Sequence, residues 1–132
     1  MAQGTAEPYV FKTVQAAGLG DNALWTPAAG KKFRLMRLYV MVPTNCTIAA
    51  RGVLVIKLRD GTTDTGVAMD VWLGQTAPVE TASNIPPQAL DSGWIDLGIG
   101  ILSAAANNVL NVNLSAALAA GNVRVMCAGT EE

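Results

Sequence analysis

The chain has 132 residues and 13.7 kDa, 51% of its residues are hydrophobic and 14% charged, and 9 basic against 10 acidic side chains leave a net charge of −1. That length fits one domain able to bury roughly two-thirds of its unfolded surface, so its core needs neither metal nor disulfide. The balanced charge argues against nucleic-acid or anionic-membrane partners, and the lack of histidine removes Ser-His-Asp, Cys-His and zinc-protease chemistry.

Strand signals dominate from the start. Residues 8–14 read as an N-terminal strand and 23–26 as a short one closed by Pro27. The segment Phe33–Val42 is apolar on both faces and rich in aromatic and β-branched side chains, which predicts burial on both sides, by another layer or by a neighbouring subunit. After a weaker strand at 46–49, residues 53–59 alternate cleanly, with Leu54, Ile56 and Leu58 on one face and Lys57 and Arg59 on the other. They run into Asp60-Gly61, the strongest tight-turn dipeptide in the chain. Further strands are expected at 65–73, 94–97 and 99–103, then at 108–114 with Leu110, Val112 and Leu114 inward, and at 123–127. Alanine-rich 103–106 and 115–120 are too short for independent helices and read as one-turn or loop connectors. Residues 74–92, with two adjacent prolines, form the longest loop candidate. Eight to ten short strands with this turn punctuation predict an all-β domain spanning 1–132, a two-sheet sandwich or a barrel.

Few motifs suggest chemistry. Gly18-Leu-Gly20 lacks the third glycine and the helix of a dinucleotide loop, and Asp60–Asp64 lacks the later glutamate of a calcium loop. Both read as turns. Asp91 and Asp96 read as solvated loop carboxylates. Cys46 and Cys127 lie 81 positions apart, so they form no CxxC pair, and each sits in an apolar strand where buried free thiols are common. The sequons at Asn45 and Asn113 carry no weight, because the N-terminus shows no secretory signal. No catalytic, metal or cofactor residue is assigned, and no small-molecule substrate is expected.

Candidate interface residues are easier to name. Lys31, Lys32, Arg34 and Arg37 form the one basic cluster, either the polar margin of a long strand or a patch facing an acidic partner. Trp25, Trp72 and Trp94 supply most of the aromatic content, either as core anchors or as caps on a subunit interface or sugar-binding platform. Tyr9 and Phe11 end an extended N-terminal arm, Ala2 to Phe11, placed to reach a neighbour and add to its sheet edge. The interface set is therefore Tyr9, Phe11, Trp25, Arg34, Arg37, Trp72 and Trp94. The low charged fraction predicts that partners cover part of the surface.

Two stretches resemble a known class. Leu24-Trp-Thr-Pro-Ala-Ala-Gly-Lys-Lys-Phe-Arg-Leu-Met36 looks like the opening strand of small structural proteins of tailed-phage virions. Residues 102–118, closing with Gly129-Thr-Glu-Glu132, resemble their C-terminal half. The resemblance implies a jelly-roll-like domain that binds the major capsid protein on the head exterior as a homotrimeric decoration (cement) protein, made in the host cytoplasm and residing in the virion. It carries no catalytic motif, so the expectation is a non-enzymatic protein. The rival expectation is a carbohydrate- or receptor-binding head of a tail fibre, or a tail structural subunit, motivated by the tryptophans and the 74–92 loop.

Overall fold

Alternation of apolar and polar side chains forces one face of each strand inward, and eleven strands result in the computed structural model, which describes residues 9–75 and 90–132. In chain order they are β1 (Val10–Ala16), β2 (Gly20–Trp25), β3 (Phe33–Val42), β4 (Thr47–Ile48), β5 (Gly52–Asp60), β6 (Thr63–Gln75), β7 (Leu90–Asp91), β8 (Ile95–Leu102), β9 (Leu110–Leu114), β10 (Leu118–Ala120) and β11 (Val123–Glu131). They make two sheets. Sheet I has the order β1-β11-β3, with β7 and β8 both pairing the far side of β3; sheet II has the order β10-β4-β6-β5-β9-β2. The all-β, two-sheet architecture expected from the sequence is present.

Setting aside β4, β7 and β10, each of two or three residues, the eight longer strands pair concentrically. The first pairs the last (β1·β11), the second the second-last (β2·β9), the third β8, and the two innermost form the β5·β6 hairpin. Further ladders, β11·β3 and β5·β9, join these pairs side by side into the two sheets. The hairpin turn falls at Gly61-Thr62, between the paired Asp60 and Thr63, as the Asp-Gly signal predicts.

The core lies between the sheets. Leu38, Val40, Val42, Val123, Val125 and Cys127 come from sheet I, and Leu54, Ile56, Leu58, Leu110, Val112 and Leu114 from sheet II. Trp25 and Phe33 close one end of the core, their rings 5.7 Å apart. Trp25 Nε1 donates to Glu131 at 2.8 Å, which satisfies the indole in a site without water access. At the same end Asp60 organises the 103–108 connector: it accepts from Ser103 Oγ at 2.8 Å, Ala104 N at 2.7 Å and Asn108 Nδ2 at 3.0 Å.

Four expectations change. Within the single chain β3 is buried on one side: Phe33, Leu35, Leu38, Val40 and Val42 are buried, whereas Met36, Tyr39 and Met41 stay partly open, and among the described residues no second layer of this chain covers them. An irregularity in both ladders at Met36–Arg37 restores the inward side of the strand after a break in its alternation, and this makes the sequence look apolar all round. The two strands expected at 94–97 and 99–103 are one strand, β8, with a bulge. The 115–120 piece is not a helical turn, because Leu118–Ala120 pair with β4. Of the expected 2–11 arm, Val10 and Phe11 belong to β1 and pair Gly129 and Ala128; the rest up to residue 8 lies outside the described residues, as do residues 76–89 of the 74–92 loop.

Candidate functional site: an aromatic patch on the outer face of sheet I

Strand register decides which exposed side chains meet. Along the outer face of sheet I, Phe11, Ala128, Arg37 and Asp96 stand opposite one another across β1, β11, β3 and β8. Thr13, Met126 and Tyr39 form the neighbouring row. Trp94, just ahead of β8, bridges these rows. Its ring packs edge-on against Tyr39 (centroids 5.5 Å apart, planes at 82°) and tilted against Phe11 (6.0 Å, 59°). Phe11 and Trp94 approach from opposite edges of the sheet, on its one outer face. They meet because the residue between them, Ala128, ends at a methyl group, which the rings leave only 5% exposed.

The rings nevertheless remain in water: Phe11 is 56% exposed, Tyr9 57% and Trp94 48%. Between Tyr9, Phe11, Trp94, Ala128 and the stem of Arg37 lies an open, mainly apolar pocket of about 210 Å³. The Arg37 guanidinium makes no ion pair or hydrogen bond among the described residues. Tyr39 is anchored from behind by a short hydrogen bond from its hydroxyl to Asp91. That bond, helped by the Gly93 N–H at 3.1 Å, holds the Asp91 carboxyl below the usual carboxylate range, and it raises the Tyr39 phenol. Ser92 keeps the approach to Trp94 in place by accepting from Val40 N at 2.8 Å and donating its own N–H to Val40 O at 3.0 Å.

Tyr9, Phe11, Arg37 and Trp94, four of the seven residues singled out in the sequence, are thus brought together, and three are not. Trp25 is wholly buried, so it is a core anchor and offers nothing to a partner. The Arg34 guanidinium is held by Glu132, which lowers the Glu132 carboxyl and raises Arg34, and it also donates to Ile99 O at 2.9 Å. Trp72 is 48% exposed but stands on sheet II, opposite Val53 in β5, away from the other rings. Tyr39 and Ala128 were missed. Tyr39 looked like part of a two-sided apolar strand, and nothing in a sequence marks an alanine as the floor of a pocket.

Cys46 and Cys127 are free and buried. Burial pushes the Cys127 thiol up to about 12 and raises Cys46 as well, which favours the protonated thiol in both at neutral pH. Among the described residues no group of three His, Cys, Asp or Glu side chains is placed to hold a metal ion, and no helix is long and apolar enough to cross a membrane. No protein-family model matches the chain, and no curated protein matches it.

Proposed function

We propose that this protein is a non-enzymatic structural subunit of a phage virion, a decoration protein that binds the outer surface of the head as a homotrimer and stabilises the shell. The observation that carries this reading is the solvent-facing cluster of Phe11, Tyr39 and Trp94 with its apolar pocket. Large half-exposed aromatic side chains around a pocket, with an unpaired arginine beside them, are the usual anchors of protein–protein interfaces. The concentric strand pairing supports a jelly roll, an eight-stranded double Greek key found in viral capsid and lectin domains. The two stretches that resemble tailed-phage structural proteins, 24–36 and 102–118, supply the virion context. In mechanism, each protomer adds a modest contact and three linked contacts multiply avidity for neighbouring shell subunits. Ligand linkage then shifts disruption of the shell to higher temperature. The segment from Ala2 into β1 is the piece proposed to reach a shell neighbour.

The test is to add purified protein to undecorated heads of a phage that encodes it. Co-sedimentation and a higher head-disruption temperature are expected; heads that neither take up the protein nor gain stability would overturn the reading.

A second reading rests on the same pocket. Trp94, Phe11 and Tyr9 around an open depression also suit one face of a sugar ring, as in the carbohydrate- or receptor-binding head of a tail fibre. Binding on a glycan array that is lost in Trp94→Ala would favour it. The mainly apolar lining, with few groups to hydrogen-bond a sugar, favours the first reading.

A further inference from the structure

The aromatic pocket lies where the chain enters the fold. Tyr9, the first described residue, forms part of its wall, and Phe11, two positions on, forms another part. The sheet offers room for a longer first strand at this point. β11 stays paired with β3 as far as Glu131, whereas β1 meets β11 only as far as the Val10–Gly129 pair. Thr130 and Glu131 therefore have no partner on the β1 side among the described residues. The residue type at position 8 explains the stop, because a proline has no N–H to give the ladder. The residues that precede β1 are thus attached at the rim of the pocket, not to a continuing sheet edge.

We propose that residues 2–8 fold back across the outer face of sheet I and cover the Tyr9–Phe11–Trp94 pocket of their own chain in the free protein. This rests on the reading above, in which both the rings and the segment from Ala2 into β1 go to the shell, and it adds that each masks the other until the shell displaces them. Attachment decides the occupant. A segment joined to the wall of the pocket is present there at roughly millimolar effective concentration, which a second copy in dilute solution cannot match. A contact too weak to hold two molecules together therefore suffices within one. Charge does not choose between occupants: Arg37 and Asp96 stand side by side across the β3·β8 ladder, so this part of the rim carries no net charge. A segment whose one charged side chain is Glu7 suits such a rim. Length agrees as well. From β1 to Trp94 beside β8 is three strand spacings, about 14 Å, and seven residues span up to about 25 Å. The surplus leaves chain for a reversal, which Gly4 and Pro8 favour. Ala2, Gly4, Ala6 and Pro8 also have almost no side-chain freedom to lose on docking, while the half-exposed rings they would cover gain from losing water.

The test is acrylamide quenching of Trp94 fluorescence in the full chain carrying Trp72→Phe. Trp25 is wholly buried, so Trp94 is then the one half-exposed indole. A segment that covers the pocket at least half the time halves the access of the quencher, so deleting residues 2–8 should raise the quenching constant about twofold or more. The protection seen in the intact chain should not change on dilution. Ala2→Asp combined with Ala6→Asp keeps the length but puts charge against an apolar pocket; it should give the same rise, so the outcome does not hang on the deletion alone. Equal quenching with the segment intact, deleted or charged would overturn the contact. Protection that disappears on dilution would also overturn it, because a second copy would then be the cover. Head binding by the same preparations separates the two ideas. A protein that coats heads although residues 2–8 never protect Trp94 sinks the contact and leaves the virion reading standing, whereas a protected Trp94 in a protein that never binds heads does the reverse.

Discussion

The two outer faces of the sandwich use the same strand geometry for opposite ends. On sheet II the charged outward residues of β2, β5, β6 and β9 near the β5·β6 turn neutralise one another, while Val53 and Trp72 stay exposed farther along. Arg59 reaches Asp21 at 3.2 Å and Asp64 at 3.1 Å, Lys57 reaches Asp64 at 3.3 Å, and Asn113 Nδ2 donates to Asp21 at 2.8 Å. On sheet I the corresponding positions hold Phe11, Tyr39, Trp94 and Met126, with Arg37 opposite Asp96 beside them. Exposed ion pairs contribute little to stability and mainly keep a face wet. Exposed rings gain little until water is removed from them. The charged end of the first face is therefore complete in solution and Trp72 stands there without a ring partner, whereas the rings of the second face cluster around an open pocket, which is why the functional reading is placed there.

Several substitutions would break or sharpen that contrast. The largest effect is expected from Gly129→Ala, beneath the sheet I irregularity, because a Cβ there would sit 1.8 Å from Arg34 O. The backbone has to move, and a loss of about 3 kcal/mol should appear in urea unfolding. Asp60→Ala should cost about 2 kcal/mol, since Ala104 N and Asn108 Nδ2 lose their acceptor and Ser103 Oγ is left with Ala105 O alone, yet leave assembly and head binding unchanged at temperatures where the protein stays folded. Trp94→Ala should lower stability by only about 1 kcal/mol from its two ring contacts while abolishing assembly. A Trp94→Ala protein that assembles normally would remove sheet I from consideration. On the other face, Lys57→Ala combined with Asp64→Ala should change stability by less than about 1 kcal/mol and leave assembly untouched. The smallest effect is a pH response. Asp91 and Glu132 titrate below their ordinary values in the folded protein, so each stabilises the fold above the ordinary carboxylate range and loses that contribution as pH falls through the depressed value. Melting temperature should therefore decline slightly below about pH 4. Tyr39→Phe should flatten that decline, because it removes the bond that depresses Asp91.

Much of the fold was legible because period-two patterning reports directly on a half-buried strand. β5 and β9 alternate so regularly that their inward residues, from Leu54 to Leu58 and from Leu110 to Leu114, are the buried ones. β3 misled because its irregularity breaks the period, and β8 read as two strands because its bulge carries two glycines. β10 was missed because three residues of alanine and leucine carry no strand signal; its pairing with β4 comes from the partner.

By itself, then, the sequence determined the all-β class, the hairpin at Asp60-Gly61, most inward faces and a set of residues that included four members of the patch. These follow from local periodicity and turn chemistry. Only the tertiary structure decided that Trp25 is core while Trp94 is surface, that Arg34 braces a bulge while Arg37 stands free, and that Phe11 meets Trp94 across Ala128. Those outcomes depend on register between strands more than 80 positions apart in places, such as Phe11 with Ala128, and no local pattern encodes register at that range.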